Sequence, residues 1–135
     1  MAGQAVILYC SIRGTTRKVV RRACERFSFS FDLIDAATPG TGPVGSARPL
    51  IVFCPTYGDE ELPEPMERFL VRNGSSLAER DYGICELGNY YGYEKFDFGA
   101  LRILDAEFQA RGGRRIVAAL SLDSLPRVDW QSLWR

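Results

Sequence analysis

The residues with the most evident chemistry form three short polar stretches, each following an apolar run. The first is Ser11-Ile12-Arg13-Gly14-Thr15-Thr16, a hydroxyl-rich turn with one glycine and one cation. Unpaired N–H groups and the positive end of a helix dipole would point into such a turn if a helix starts there, which makes it a place to hold an anion, a phosphate above all. The dipole contributes only about 0.3–1 kcal/mol, whereas a hydrogen bond to a charged group contributes about 1.5–3 kcal/mol. Ser11, Thr16 and the amides around Gly14 are therefore expected to carry the binding.

The second stretch is Pro55-Thr56-Tyr57-Gly58-Asp59 and the third is Leu87-Gly88-Asn89-Tyr90-Tyr91-Gly92-Tyr93. Three tyrosines within four positions supply flat apolar area with a polar tip, suited to covering a ring.

These stretches need strands to end them on one edge. Ala5 to Cys10 and Pro49 to Cys54 are apolar runs of strand length, as expected of strands covered on both faces of a parallel sheet. Ser30 to Asp35, Asp81 to Leu87 and Arg115 to Leu122 supply three more strands. A helix is expected from Thr15 to Phe27, with Thr16, Val19, Val20, Ala23, Cys24 and Phe27 on its buried face. A second begins near Glu64-Pro65, with Met66, Phe69 and Leu70 inward and Asn73-Gly74 at its end. A third runs from Phe98 to Arg111, with Leu101, Leu104 and Phe108 inward, and a short last one from Val128 to Trp134. Strands alternating with helices give an α/β fold, a doubly wound parallel sheet with helices on both faces. In such sheets ligands sit beyond the carboxyl ends of the strands, where strand order reverses.

With 135 residues the chain suits a single domain spanning 1–135. No apolar stretch approaches the roughly 18 residues of a membrane span, and the first residues carry no export signal, so a cytoplasmic protein is expected. Cys10, Cys24, Cys54 and Cys85 stand singly in apolar runs and the chain has no histidine, which leaves no zinc spacing and no metal site. The four read as core thiols. The formal net charge is zero, but Arg13, Arg17, Lys18, Arg21, Arg22 and Arg26 crowd the first helix while Asp59, Glu60, Glu61, Glu64 and Glu67 crowd the middle, so the molecule should be a dipole. The basic helix face has no interleaved aromatics and reads as a solvated surface, not a nucleic-acid site. Gly40 to Gly45 form a G-x-G-x-x-G that follows the wrong strand, contains Pro43 and opens no helix; it is a linking loop. Glu86 lies inside an apolar strand and must be paired, protonated or at the margin of burial.

In their order along the chain, the three stretches resemble those of the flavodoxin family. Ser11-x-x-Gly14-x-Thr16 resembles the loop that holds the phosphate of FMN, with Arg13 where the family usually has Thr or Ser. Thr56-Tyr57-Gly58-Asp59 resembles the second flavin loop. There the resemblance implies that the Gly58 carbonyl makes a redox-linked hydrogen bond to the flavin, and glycine suits a peptide that must turn over. Gly88-Asn89 and Gly92-Tyr93 resemble the third loop; Tyr93 is the expected ring stacker, with Tyr90 and Tyr91 as rivals, and Asn89 stands where Asp is usual.

The resemblance implies a flavodoxin-like five-stranded sheet of order 2-1-3-4-5, the arrangement for which flavodoxin is itself the familiar example. It implies FMN held by Ser11, Ile12, Arg13, Gly14, Thr15, Thr16, Pro55, Thr56, Tyr57, Gly58, Asp59, Leu87, Gly88, Asn89, Tyr90, Gly92 and Tyr93. The activity implied is single-electron shuttling between an NAD(P)H-dependent flavodoxin reductase and a redox acceptor enzyme. The chain looks like the short-chain group, without an inserted segment in the fifth strand, and a monomer is expected. Acids near the flavin would lower its potential: one charge about 10 Å away at an effective dielectric near 20 is worth roughly 1.7 kcal/mol.

Two rivals follow from the same residues. A small FMN-dependent quinone or flavin reductase would act alone, but no histidine or other evident general acid stands by the loops, which favours a carrier over an enzyme with catalytic residues of its own. A small tyrosine phosphatase carries a cysteine and an arginine enclosing five residues; counted from Cys10 that spacing lands on Thr16, with Arg17 one position late.

Overall fold

A computed structural model of the chain describes residues 4–11, 14–38, 48–55, 62–73, 77–88, 99–116 and 120–123. The elements in chain order are β1 (Ala5–Tyr9), α1 (Thr15–Arg26), β2 (Phe31–Asp35), β3 (Leu50–Pro55), α2 (Glu64–Arg72), β4 (Asp81–Gly88), α3 (Gly99–Ala110), β5 (Arg114–Arg115) and β6 (Leu120–Asp123). All strand pairs are parallel and the sheet runs β2-β1-β3-β4-β5, with β6 also paired to β4. The expected order 2-1-3-4-5 is therefore the observed one.

The fifth position of the sheet differs from the single strand expected over Arg115 to Leu122. Arg114 and Arg115 pair with Asp81 and Tyr82, whereas Leu120 to Asp123 pair with Cys85 to Gly88. Between these pairings β4 contributes Gly83 and Ile84 and its neighbour contributes residues 116–119, two residues more. The last expected helix, Val128 to Trp134, and the Gly40 to Gly45 loop lie outside the described residues.

Each helix buries the stripe its spacing dictates, and the stripes go to opposite faces. On α1, Thr16, Val19, Val20 and Ala23 are buried while Cys24 and Phe27 are half-buried; its apolar side packs with Ile7, Phe53, Cys85 and Leu87. Met66, Phe69 and Leu70 of α2 and Ala100, Leu104 and Phe108 of α3 pack on the other face with Val6, Leu8, Val52 and Ile84. Pro65 sits in the first turn of α2, where its missing N–H has no intrahelical partner to lose. Asn73 ends that helix, its backbone N–H and its Nδ2 both donating to the Phe69 carbonyl.

Among the described residues the largest fully buried side chain is Tyr82. Its ring lies 4.9 Å from that of Phe108, and its hydroxyl donates to Asp105 Oδ1 at 2.6 Å. Burial first and the Asp105 carboxylate second push the Tyr82 phenol up from its ordinary value. The turn from α3 into β5 passes close beneath this ring. At Gly113 a methyl group would lie 2.8 Å from the Phe108 carbonyl oxygen and 3.0 Å from that of Arg80, so no larger residue fits.

Candidate functional site

Strand order places three connections at one edge. The N–H of Cys10, just past β1, donates to the Phe53 carbonyl of β3 at 3.0 Å. Pro55, the last residue of β3, is in register with Leu87, and β4 ends one residue later at Gly88, opposite Asp123. The chain therefore leaves β1, β3 and β4 side by side at their carboxyl ends. From there α1 goes to one face and α2 and α3 to the other, and strand order reverses between β1 and β3, the place where such sheets hold ligands.

The first connection is built for an anion. Gly14 has φ +85°, a left-handed turn that only glycine takes cheaply, and it stands at the N-cap of α1. A methyl group placed there would meet nothing within 4 Å among the described residues. Ser11 Oγ accepts the N–H of Gly14 at 3.1 Å and that of Arg17 at 3.4 Å. Its hydroxyl hydrogen is thereby left to donate outward. No acid occupies the first turn of α1, so the dipole and the donors meet no competing carboxylate. The donor set of hydroxyl, amides and helix start suits a phosphate monoester.

Of the residues expected at the site, Ser11 and Gly14 are half-buried at this turn, and Thr15 opens α1. Thr16 is buried at 2% exposure, on the core stripe as well as at the helix start. Pro55 is half-buried at the end of β3, Leu87 is buried on the α1 face, and Gly88 ends β4. Ile12, Arg13, Thr56, Tyr57, Gly58, Asp59, Asn89, Tyr90, Gly92 and Tyr93 lie outside the described residues, as do Tyr91, Glu60 and Glu61. Of the expected acidic cluster, Glu64 and Glu67 are described; both are exposed in the first turn of α2, and Glu64 pairs with Arg68.

Sequence reasoning did not foresee a buried row beneath this edge. Cys10, Cys54 and Glu86 stand next to one another across β1, β3 and β4, all with no exposed surface. Burial pushes the Cys10 thiol up to about 11, helped by the Asp35 carboxylate and opposed by a hydrogen bond with the Met66 backbone. Cys54 is driven well above its ordinary value by burial, then by Cys10 and Glu86, and Cys85 is raised by burial and then by Glu86. A thiol so buried and so weakly acidic is not the thiolate that a phosphatase needs, which removes the Cys10 rival. The signal for this row is the strand register, since Asp35 and Cys10 become neighbours only when β2 is known to flank β1.

Comparison with known proteins agrees with this arrangement. The sequence model described as Flavodoxin matches residues 7–131. Among solved structures, a flavodoxin from Streptococcus pneumoniae is 25% identical, with a TM-score of 0.76 over 96% of this chain and 92% of that one. Oxidised Flavodoxin 1 from Bacillus cereus is 18% identical, with a TM-score of 0.75 over 96% of this chain and 91% of that one. A Fusobacterium nucleatum flavodoxin bound to flavin mononucleotide is 20% identical, with a TM-score of 0.64 over 84% of this chain and 69% of that one. Comparison with curated proteins gives no match. No helix among the described residues is long and apolar enough to cross a membrane.

Proposed function

The chain belongs to the flavodoxin family, and from that premise we propose that it binds one FMN at the β1, β3 and β4 strand ends and carries electrons. FMN, when bound, supplies a group that takes up and releases electrons one at a time. Everything else falls to the protein. Ser11, Gly14, Thr15 and Thr16 hold the phosphate tail through hydroxyl and amide donors, and Ile12 and Arg13 complete the turn. Pro55, Thr56, Tyr57, Gly58 and Asp59 form one wall, with the Gly58 carbonyl as the hydrogen-bond partner that responds to reduction. Leu87, Gly88, Asn89, Tyr90, Gly92 and Tyr93 form the other, with Tyr93 covering the ring and Asn89 meeting its polar edge.

The observation that carries this reading is the adjacency of the three strand ends, together with the left-handed turn at Gly14 under the Ser11 hydroxyl. In the cytoplasm, as a single-domain monomer, the protein takes electrons from an NAD(P)H-dependent reductase and delivers them to an acceptor enzyme. The family match and the flavodoxins that the chain resembles in structure, one of them bound to flavin mononucleotide, support the carrier reading.

The experiment is a steady-state assay of the FMN-loaded chain with NADPH and a quinone, with and without an added flavodoxin reductase. The carrier reading expects turnover only when the reductase is present. Rapid quinone reduction without it would identify a self-sufficient FMN-dependent reductase instead.

A further inference from the structure

The charges of α1 are arranged against the helix that carries them. Arg17, Lys18, Arg21, Arg22 and Arg26 are all exposed, with Glu25 the only acid on that face. Among the described residues none of the five side chains forms an ion pair. Arg17 and Arg21, Lys18 and Arg22, and Arg22 and Arg26 are four apart, the spacing at which like charges repel along a helix. Arg17 and Lys18 also lie in the first turn, where the dipole disfavours cations. α2 does the opposite, opening with Glu64 and Glu67 and pairing Glu64 with Arg68, while Glu107 near the end of α3 pairs with Arg111 just beyond it.

We infer that the outer face of α1 is a docking surface for an acidic redox protein, whose carboxylates supply the counter-charge the helix lacks. This rests on the carrier reading of the strand-end site. From Arg17 to Arg26 the stripe is about 14 Å long, the scale of a small and transient contact. It begins beside the proposed cofactor site, since the Arg17 N–H is held by Ser11 Oγ, so a partner seated on it is brought to the edge where electrons pass. A lipid surface does not fit, because the apolar side of α1 that would have to insert is already in the core with Ile7 and Phe53. A single-stranded nucleic acid does not fit, because no aromatic residue stands among the exposed cations.

The test uses a plant-type ferredoxin, an acidic iron–sulfur protein, as the probe and the double variant R21E/R22E of the full chain. Reduced ferredoxin is mixed with FMN-loaded protein and the electron-transfer rate is followed as salt is raised from about 10 mM to about 200 mM, across which screening shortens from about 30 Å to under about 10 Å. The wild-type rate should fall at least tenfold over that range, and the variant should be at least tenfold slower at low salt. FMN affinity should be unchanged, since neither arginine touches the proposed cofactor site, and the unfolding midpoint should not fall, since the substitution turns three like-charge pairs into attractive ones at the cost of one new repulsion with Glu25. Calorimetry of oxidised ferredoxin with the full chain reads docking without electron transfer, so it decides the matter even if FMN does not bind. Equal calorimetric affinity of wild type and variant would overturn the inference. So would binding of single-stranded RNA or phosphatidylserine vesicles by the wild type as tightly as ferredoxin.

Discussion

The Ser11 hydroxyl oxygen lies 3.1 Å from the Gly14 amide nitrogen, so a side chain from the end of β1 closes the turn that opens α1. The same oxygen reaches the Arg17 amide at 3.4 Å. Ser11 thus acts as a helix cap from three positions before the N-cap residue, and an anion entering the turn meets its remaining hydrogen.

Ser11→Ala removes both roles. Stability should fall by about 1 kcal/mol, the typical loss of a capping side chain. FMN affinity should fall roughly 10-fold or more, the equivalent of one hydrogen bond to a charged group. Riboflavin, which has no phosphate, should bind wild type and variant alike. Fluorescence titration with both flavins checks this, and a parallel loss for riboflavin would place Ser11 at the ring instead of the tail.

Two glycines should respond differently to the same added methyl. At Gly14 the methyl would meet nothing within 4 Å among the described residues but φ is +85°, so Gly14→Ala should cost about 1–2 kcal/mol of backbone strain. At Gly113 the methyl would sit 2.8 Å from a backbone oxygen that cannot swing aside, so Gly113→Ala should cost more. Urea unfolding of the two variants orders them; a milder effect at Gly113 would contradict the close packing of the α3 to β5 turn beneath Tyr82.

The sequence disclosed those features that depend on local pattern. The buried faces of α1 and α2 follow from spacing alone, and α1 ends at Arg26, one residue from the expected boundary. Strand order followed from the family resemblance and the alternation of elements. What stayed hidden depends on register between distant segments: the two extra residues between β5 and β6, and the row of Cys10, Cys54 and Glu86. Glu86 is the sharpest case. A carboxylate in an apolar run has several possible settings, and only its place opposite Cys54 in a central strand shows that it is fully buried. Thr16 satisfied two patterns at once, the core stripe and the hydroxyl turn, and the structure buries it in the first turn of α1, where the two meet.

Tyr82→Phe should destabilise the fold by roughly 1–2 kcal/mol, because it removes a short hydrogen bond to a carboxylate while keeping the ring against Phe108. Asp105 retains Gln109 Nε2 at 3.0 Å and Arg115 at 3.3 Å, so it is not left bare. Chemical denaturation measures the loss; no change would mean that solvent replaces the hydroxyl at a site the fold closes.

The thiols make stability fall in alkali. Cys10, Cys54 and Cys85 all have folded values raised above their unfolded ones, so each stays protonated in the fold while the unfolded chain begins to ionise near its ordinary value of 9.0. Their contribution is complete below that value and is lost as pH rises; for Cys10 the loss runs from 9.0 to about 11. Each thiol adds a slope of about 1.4 kcal/mol per pH unit in that window. Urea midpoints at neutral pH and above 9 should show the fall, and Cys10→Ala should make it shallower. At neutral pH a thiol reagent should modify the half-buried Cys24 first.

The central claim is that one flavin phosphate is seated where β1 gives way to α1. Its most direct measurement is a calorimetric titration of the apoprotein with FMN and, separately, with riboflavin. The account predicts saturable binding of one FMN per chain at micromolar concentration or tighter, with riboflavin at least roughly 10-fold weaker for want of the phosphate. Absence of FMN binding in that range, or equal affinity for the two flavins, would contradict it.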